Sequence, residues 1–437
     1  MANRWQQQGT CDVSALAKPL EFHFSRQTAK NRFMKSAMAE SLATWSADQP
    51  QHIGIATEQY VNVYKRFGEG DWGVIVTGQI DIDARLYNRG NIVISKEHQP
   101  TPGDLRFERL KQVAAAATAH GSLILGQIVH VGRQVDARVS AETISASPIP
   151  LKPKLGMSFA KPREATKADL SDVIESFVHA AWYLEQAGFS GVQLHAAHGF
   201  LLSAFLSPST NHRTDEYGGS LHNRTRLTLE VMRAIKAKVS PNFILGIKVN
   251  SAEFQENGFT PYDAVTLCKA LNDDQFDFIE LTGGTFEVLH FEKKALSTTT
   301  REGFFLEFAK SIAPVLDKTR SYTSGGFRTS SGMVSAMATV DGIGLARAAA
   351  QEPCLPKDIL SGAITAAIRP IPPFLEVHHI SLALAGSQIR EIGMGRDPPD
   401  SSDCEKIQGA LKQLQVWTGT EVGNRHGIGW LELDLQT

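Results

Sequence analysis

The sequence predicts a (β/α)8 barrel of the α/β class, with loop insertions and a C-terminal extension, on three observations. Short apolar runs recur eight times, near 31–38, 73–80, 122–130, 191–196, 243–249, 276–282, 320–324 and 340–346. Amphipathic stretches separate them, as parallel strands covered by helices require. Polar residues and glycines gather just after several of the runs, where a barrel presents its working loops. The 437 residues, 42% of them hydrophobic, suffice for one large core and leave room for additions to a barrel of ordinary length.

The first run, KNRFMKSAM, leads into Ser36-Ala37-Met38-Ala39, which taken alone is a strand and turn. The second ends in Thr77-Gly78, where glycine lets a planar group approach the backbone closely. The third, GQIVHVGR, carries Gln127; a lone strand glutamine is ordinarily a satisfied core polar group. The fourth, GVQLHAA, ends in His195 and His198, which are costly to bury unless their ring nitrogens find partners. The fifth, LGIKVNSAEF, places Lys248 in an apolar strand, and because an unpaired buried lysine is rare, a functional role is favoured. The seventh and eighth end in Ser324-Gly325-Gly326 and Gly344-Leu345-Ala346-Arg347, the position where barrels hold phosphate.

Between these runs, residues 104–121 and 167–188 have apolar residues at helical spacing and end on glycine. NRTRLTLEVMRAIKAKV and the stretch opened by TPYDAV behave likewise, with Thr260 as N-cap and Pro261 at the first helical position. Long polar insertions near 131–166 and 284–302 each follow a strand, so they belong on the catalytic face as loops or lids. The rhythm breaks at Pro370. The barrel is therefore assigned to residues 1–370, and 371–437, with a helical piece around 374–392 and the loop MGRDPPDSSD, to an extension for packing or homo-oligomer contacts.

Composition excludes several classes of function. A net charge of −2 with no basic cluster gives no footprint for nucleic acid. The start MANRWQQQGT lacks a basic segment followed by an apolar core, and no apolar run is long enough to span a bilayer, so a cytoplasmic location without membrane contact is expected. Cys11, Cys268, Cys354 and Cys404 are too far apart for a disulfide framework or a CxxC metal site, and no metal is expected. The histidine pair also suits a metal, but no neighbouring carboxylate or cysteine completes a ligand set.

Residues 191–226, GVQLHAAHGFLLSAFLSPSTNHRTDEYGGSLHNRTR, closely resemble the segment HxAHGYL, FLSP, NxRTDEYGGSxxNR of the Old Yellow Enzyme family of flavin-dependent ene-reductases, and the resemblance spans roughly 18–370. It implies FMN, with NADPH or NADH as reductant and an α,β-unsaturated carbonyl compound as substrate. The iron-sulfur cysteine cluster and second nucleotide domain of the larger members are missing, and one phosphate cradle without a GxGxxG points to FMN rather than FAD. The resemblance implies that Ser36, Ala37, Met38, Ala39 and Gly78 line the ring, Gln127 pairs with its pyrimidine edge, Lys248 reaches N1 and O2 in place of the usual Arg, and Gly325, Gly326, Ala346 and Arg347 hold the phosphate. His195 and His198 would bind the substrate carbonyl oxygen. Ala39, standing for a Thr or Cys, cannot donate to the ring, which implies a flavin somewhat harder to reduce.

Phe200 stands where those reductases carry the tyrosine that protonates the substrate, and a phenyl ring cannot act as an acid. Two alternatives therefore accompany net alkene reduction: an FMN-dependent isomerase or dehydrogenase that consumes no NAD(P)H overall, and a flavin-binding protein without catalysis. Asn211, Arg213, Asp215, Glu216 and Tyr217 are read as fixing their loop through charge-assisted hydrogen bonds.

Overall fold

The computed structural model of the chain describes residues 2–7, 9, 11–46, 49–154, 157–287, 302–416, 433 and 435. Eight parallel strands form the barrel: β1 (Phe33–Lys35), β2 (Val74–Asp81), β3 (Leu123–Val129), β4 (Gly191–Ala196), β5 (Ile244–Asn250), β6 (Phe278–Thr282), β7 (Arg320–Ser324) and β8 (Gly342–Leu345). Each pairs with the next, and Leu345 beside Lys35 joins β8 to β1, so the sheet closes without an edge. All eight expected runs are strands, trimmed by a few residues at most ends. The second does not stop at Thr77-Gly78: the register shifts between Val76 and Gln79, a bulge in which the Thr77 hydroxyl accepts the Gln127 N–H at 3.0 Å, and the strand runs on to Asp81.

Helices α1 (Glu58–Glu69), α2 (Leu105–Thr118), α3 (Lys167–Gln186), α4 (Leu221–Lys238), α5 (Pro261–Asp273), α6 (Leu306–Ile312), α7 (Ser330–Ala336) and α8 (Arg347–Gln351) follow the strands in turn. Their apolar faces, including Phe67, Phe177, Met232 and Leu267, bury the outward Ile75, Leu194, Ile247 and Ile279. Thr260 caps α5 in a capping box with Asp263, as Thr166 does α3 with Asp169. Helix α1 is an element the periodic reading passed over, although Thr57 before EQYVNVYKRF is an N-cap signal, and its side chain accepts from the Tyr60 N–H.

Inside, the lower layers are apolar. Met34, Val74, Val76, Leu125, Ile244, Phe278 and Tyr322 pack with Leu20 and Phe22 of a hairpin (Leu20–Glu21 with Thr28–Ala29) that plugs the N-terminal end. Large rings fit because glycines face them: a Cβ on Gly246 would lie 2.1 Å from the Phe278 ring, and one on Gly342 2.2 Å from the Tyr322 ring.

At the C-terminal end the two insertions meet. Arg133 pairs with Glu287 at 2.6 Å, and Phe159 lies edge-on to Phe286 with centroids 5.3 Å apart. Residues 288–301 of the second insertion lie outside the described residues. The extension contributes α9 (His378–Gly393), which packs on α1 and α8: Asn62 donates to the Gly393 carbonyl at 3.0 Å and Gln388 to Gln351 at 2.6 Å. No helix among the described residues is long and apolar enough to cross a membrane.

Candidate active site

One inward position above the apolar layer, the same strands turn polar. Gln127 of β3, Gln193 of β4 and Glu280 of β6 face the axis, with Lys248 of β5 beside Glu280 and beside His195 in the strand register. They form a buried chain: Gln127 Nε2 donates to Gln193 Oε1 at 2.7 Å, Gln193 Nε2 donates to Glu280 Oε2 at 2.9 Å, and Lys248 Nζ lies 3.1 Å from Glu280 Oε1. The premise that Lys248 is unpaired is thus corrected. Burying a lone ammonium costs too much, and a wholly buried glutamate on the next strand supplies the counter-charge.

The two histidines converge above this chain, with ring centroids 5.2 Å apart. His195 Nδ1 accepts the Ala197 N–H at 3.4 Å, which fixes the neutral tautomer with its proton on Nε2. Burial, then His198 and Lys248, hold His195 well below the ordinary imidazole range; burial and Lys248 lower His198 to about 3. Both are neutral donors at physiological pH. His198 Nε2 lies 3.2 Å from Thr282 Oγ1. Its backbone has φ +59°, followed by Gly199 at +81°, and the strained turn is held by Gln134 donating to the His198 carbonyl at 2.8 Å. Phe200 lies edge-on to His195 at 4.7 Å and packs among Leu86, Val129, Val131 and Val135, an apolar wall without a hydroxyl.

Beside this group opens a cavity of about 530 Å³, lined by Ser36, Ala37, Met38, Ala39, Lys248, Thr282, Gly325, Gly326, Ala346 and Arg347. These ten positions, Lys248 inside its strand and the others at or after strand ends, thus share one surface, of which nine were expected cofactor contacts and Thr282 was not. Gly78, Gln127, His195, His198 and Phe200 stand outside that lining, joined to it through Lys248 and the His198–Thr282 contact. What approaches Gly78 is protein: Glu40 Oε1 accepts its N–H at 2.7 Å, and a Cβ there would lie 2.4 Å from the Met38 carbonyl. Glu40 also accepts from Tyr64, so the Ser36–Glu40 segment is pinned to α1. Behind it Lys35, fully buried, donates to the Val76 carbonyl at 2.9 Å, and burial lowers it to about 8.

The far end of the cavity is cationic. Gly325 and Gly326 have φ of +131° and +75°, and a Cβ on Gly344 would lie 2.4 Å from Ser36 Oγ, so three glycines keep the backbone open there. Burial and the neighbouring Arg328 push Arg347 below the ordinary arginine range, a repulsion that a bound anion would relieve. Arg347 donates to Ser381 Oγ of α9 at 2.8 Å, and α9 forms a wall of the cavity. Trp5 lines it too, with Arg328 and Arg369 over its ring at 3.9 and 4.9 Å.

These residues fit a phosphorylated planar cofactor. The Ser36 hydroxyl, on the cavity wall, is buried without a hydrogen-bond partner among the described residues, a group that a polar ring edge would satisfy. Sequence reading missed Glu280, Gln193, Thr282 and the contribution of α9. For Glu280 the signal existed, the second acid of the run FDFIELT and the one at inward parity; for α9 nothing local could have revealed it. Asn211 and Arg213 bond within their loop and to its neighbours, Asn211 to the Phe205 and Tyr217 carbonyls and Arg213 to Asp215 and the Ala165 carbonyl. No group of three or more metal-ligating side chains occurs among the described residues.

A sequence model of the NADH:flavin oxidoreductase / NADH oxidase family matches residues 15–364. Over 415 residues the chain is 45% identical to a protein of Aspergillus parasiticus named NADH-dependent flavin oxidoreductase nadA, covering 93% of this chain and 92% of that one. A Talaromyces variabilis protein named NADH-dependent flavin oxidoreductase iccE is 34% identical over 354 residues, 76% of this chain and 83% of its own length. Among solved structures, a 2-naphthoyl-CoA reductase complex aligns with TM-score 0.71 at 23% identity, over 86% of this chain and 58% of that one. An old yellow enzyme homologue from Zymomonas mobilis aligns at 0.63 and 21%, over 83% and 96%. At those identities the structural likeness is one of fold.

Proposed function

The chain belongs to the NADH:flavin oxidoreductase / NADH oxidase family, and from that premise we propose an FMN-dependent enzyme that takes hydride from NADH or NADPH and passes it to the activated alkene of an α,β-unsaturated carbonyl compound. The observation that carries this reading is the neutral His195, its Nε2–H held ready as a donor beside Lys248 and the cavity. Bound FMN supplies the two-electron hydride chemistry. The names of the two fungal relatives favour NADH as the reductant.

In this reading Gly325, Gly326, Ala346 and Arg347 hold the phosphate, Ser36 to Ala39 flank the ring while Gly78 anchors that segment through Glu40, and Gln127 and Lys248 serve its pyrimidine side. His195 and His198 donate to the substrate carbonyl, which polarises the alkene and stabilises the enolate that forms when hydride arrives. Because both rings are neutral, they bind the oxygen without giving up a full proton. Phe200 keeps water and acid off its side of the site, so the proton that completes reduction comes from solvent or another group.

That apolar wall also favours a second reading, in which hydride taken from the substrate is either returned to it, for net alkene isomerisation, or passed to a separate electron acceptor, for dehydrogenation. Anaerobic absorbance separates the two. Addition of NADH bleaches the flavin band, and cyclohexenone then restores it with formation of cyclohexanone; bleaching without restoration favours the second reading, and a colourless protein sinks both. His195→Ala/His198→Ala is expected to keep FMN but lose the long-wavelength band with a phenol, and an undiminished band would remove the oxyanion role.

A further inference from the structure

The buried chain has a direction that chemistry alone fixes. A carboxylate paired with an ammonium only accepts, so Gln193 must turn its amide nitrogen to Glu280 and its oxygen to Gln127. Gln127 must then spend its nitrogen on Gln193, and its own oxygen is left outside the chain. One wholly buried glutamate therefore dictates which way an amide three strands away is turned.

We infer that Glu280 is a positioning residue for the cofactor, setting the effective charge of Lys248 on one side and, through Gln193, the polarity of the Gln127 amide on the other. The inference rests on the FMN reading above. An acceptor at Gln127 selects a ring-edge N–H as its partner. Lys248 faces the cavity as half of an ion pair 3.1 Å long, so it offers a dipole where a lone ammonium would offer a full charge. The pair consequently stabilises a reduced, anionic ring less than an unopposed cation would, and Glu280 holds the cofactor at a lower potential. Ala39, with no donor at the ring's edge, acts in the same sense.

The test uses the full-length holoprotein, with flavin midpoint potential read against a reference dye and oxidised FMN affinity read by fluorescence. Glu280→Gln removes the charge at constant shape and is expected to favour reduced over oxidised FMN at least tenfold more than the native protein does, about 30 mV upward for a two-electron couple. Glu280→Asp keeps the charge and is expected to return most of that shift, which a purely structural role would not produce. Gln193→Met cuts the chain but leaves the ion pair, so it is expected to weaken oxidised FMN roughly tenfold while the potential stays near native; it also decides the question should Glu280→Gln fail to fold. A native potential in Glu280→Gln, or native FMN affinity in Gln193→Met, overturns the inference. A native protein that holds no FMN instead overturns the cofactor reading on which it stands.

Discussion

The lower and upper halves of the barrel interior are made by the same strands at the same parity, yet they are opposite materials. Moving one inward position along β1, β3, β6 and β7 exchanges Met34 for Ser36, Leu125 for Gln127, Phe278 for Glu280 and Tyr322 for Ser324. Below, rings sit against glycines and burial dominates, with the buried Tyr322 hydroxyl as an exception; above, every buried polar group needs a partner. The comparison teaches that the barrel separates the costs of folding and of chemistry by height, so that a site full of desolvated charge rests on a floor that does not share its risk.

The sharpest way to break this division is to damage the floor. Phe278→Ala removes a wholly buried ring opposite Gly246, which has no side chain to fill the space, and is expected to cost about 3–5 kcal/mol in urea unfolding while leaving flavin affinity near native once folded. A loss of affinity larger than the loss of stability would join the halves into one unit. In the upper half, Lys248→Met is expected to cost about 3 kcal/mol because Glu280 is left charged and unpaired, whereas Lys248→Met/Glu280→Leu recovers most of that stability though not the cofactor contact. Additive single losses in that cycle would mean that the two groups are not coupled.

The smallest expected effect near neutral pH is that of the histidine pair, which shows only on acidification. The folded state holds His198 at about 3 and His195 well below 6.5, so their contribution is whole above pH 6.5 and is lost as pH falls from 6.5 toward 3. His195→Asn/His198→Asn should therefore flatten the acid limb measured by chemical denaturation between pH 6.5 and 4. His98 and His130, lowered to about 4, keep part of the slope. An acid limb as steep as the native one would mean that the pair titrates normally in the folded protein.

How much of this was legible in the sequence follows from the range of each interaction. Strand runs and capping residues are local, so all eight strands and the Thr260 cap could be read directly. Residue identity at Phe200 was equally plain, but its 4.7 Å contact with His195 is not a property of sequence spacing. Glu280 interrupts an apolar run, and its reason, Lys248, lies 32 positions away on the neighbouring strand. Ser381 meets Arg347 across 34 residues and Trp5 meets Arg369 across the whole barrel, so neither contact leaves a periodic trace.

Helix α9 has one consequence in the order of synthesis. Ribosomes deliver the chain from its N-terminus, and domains begin to fold as their residues emerge. The ring of strands can close once residue 345 is out, but a wall of the chamber, with the serine that meets Arg347, arrives only with residues 378–393. During that interval the nascent protein has its barrel and most of its polar residues in place around an incomplete chamber, and the walled chamber, together with any cofactor loading that depends on it, belongs to the last stage of maturation.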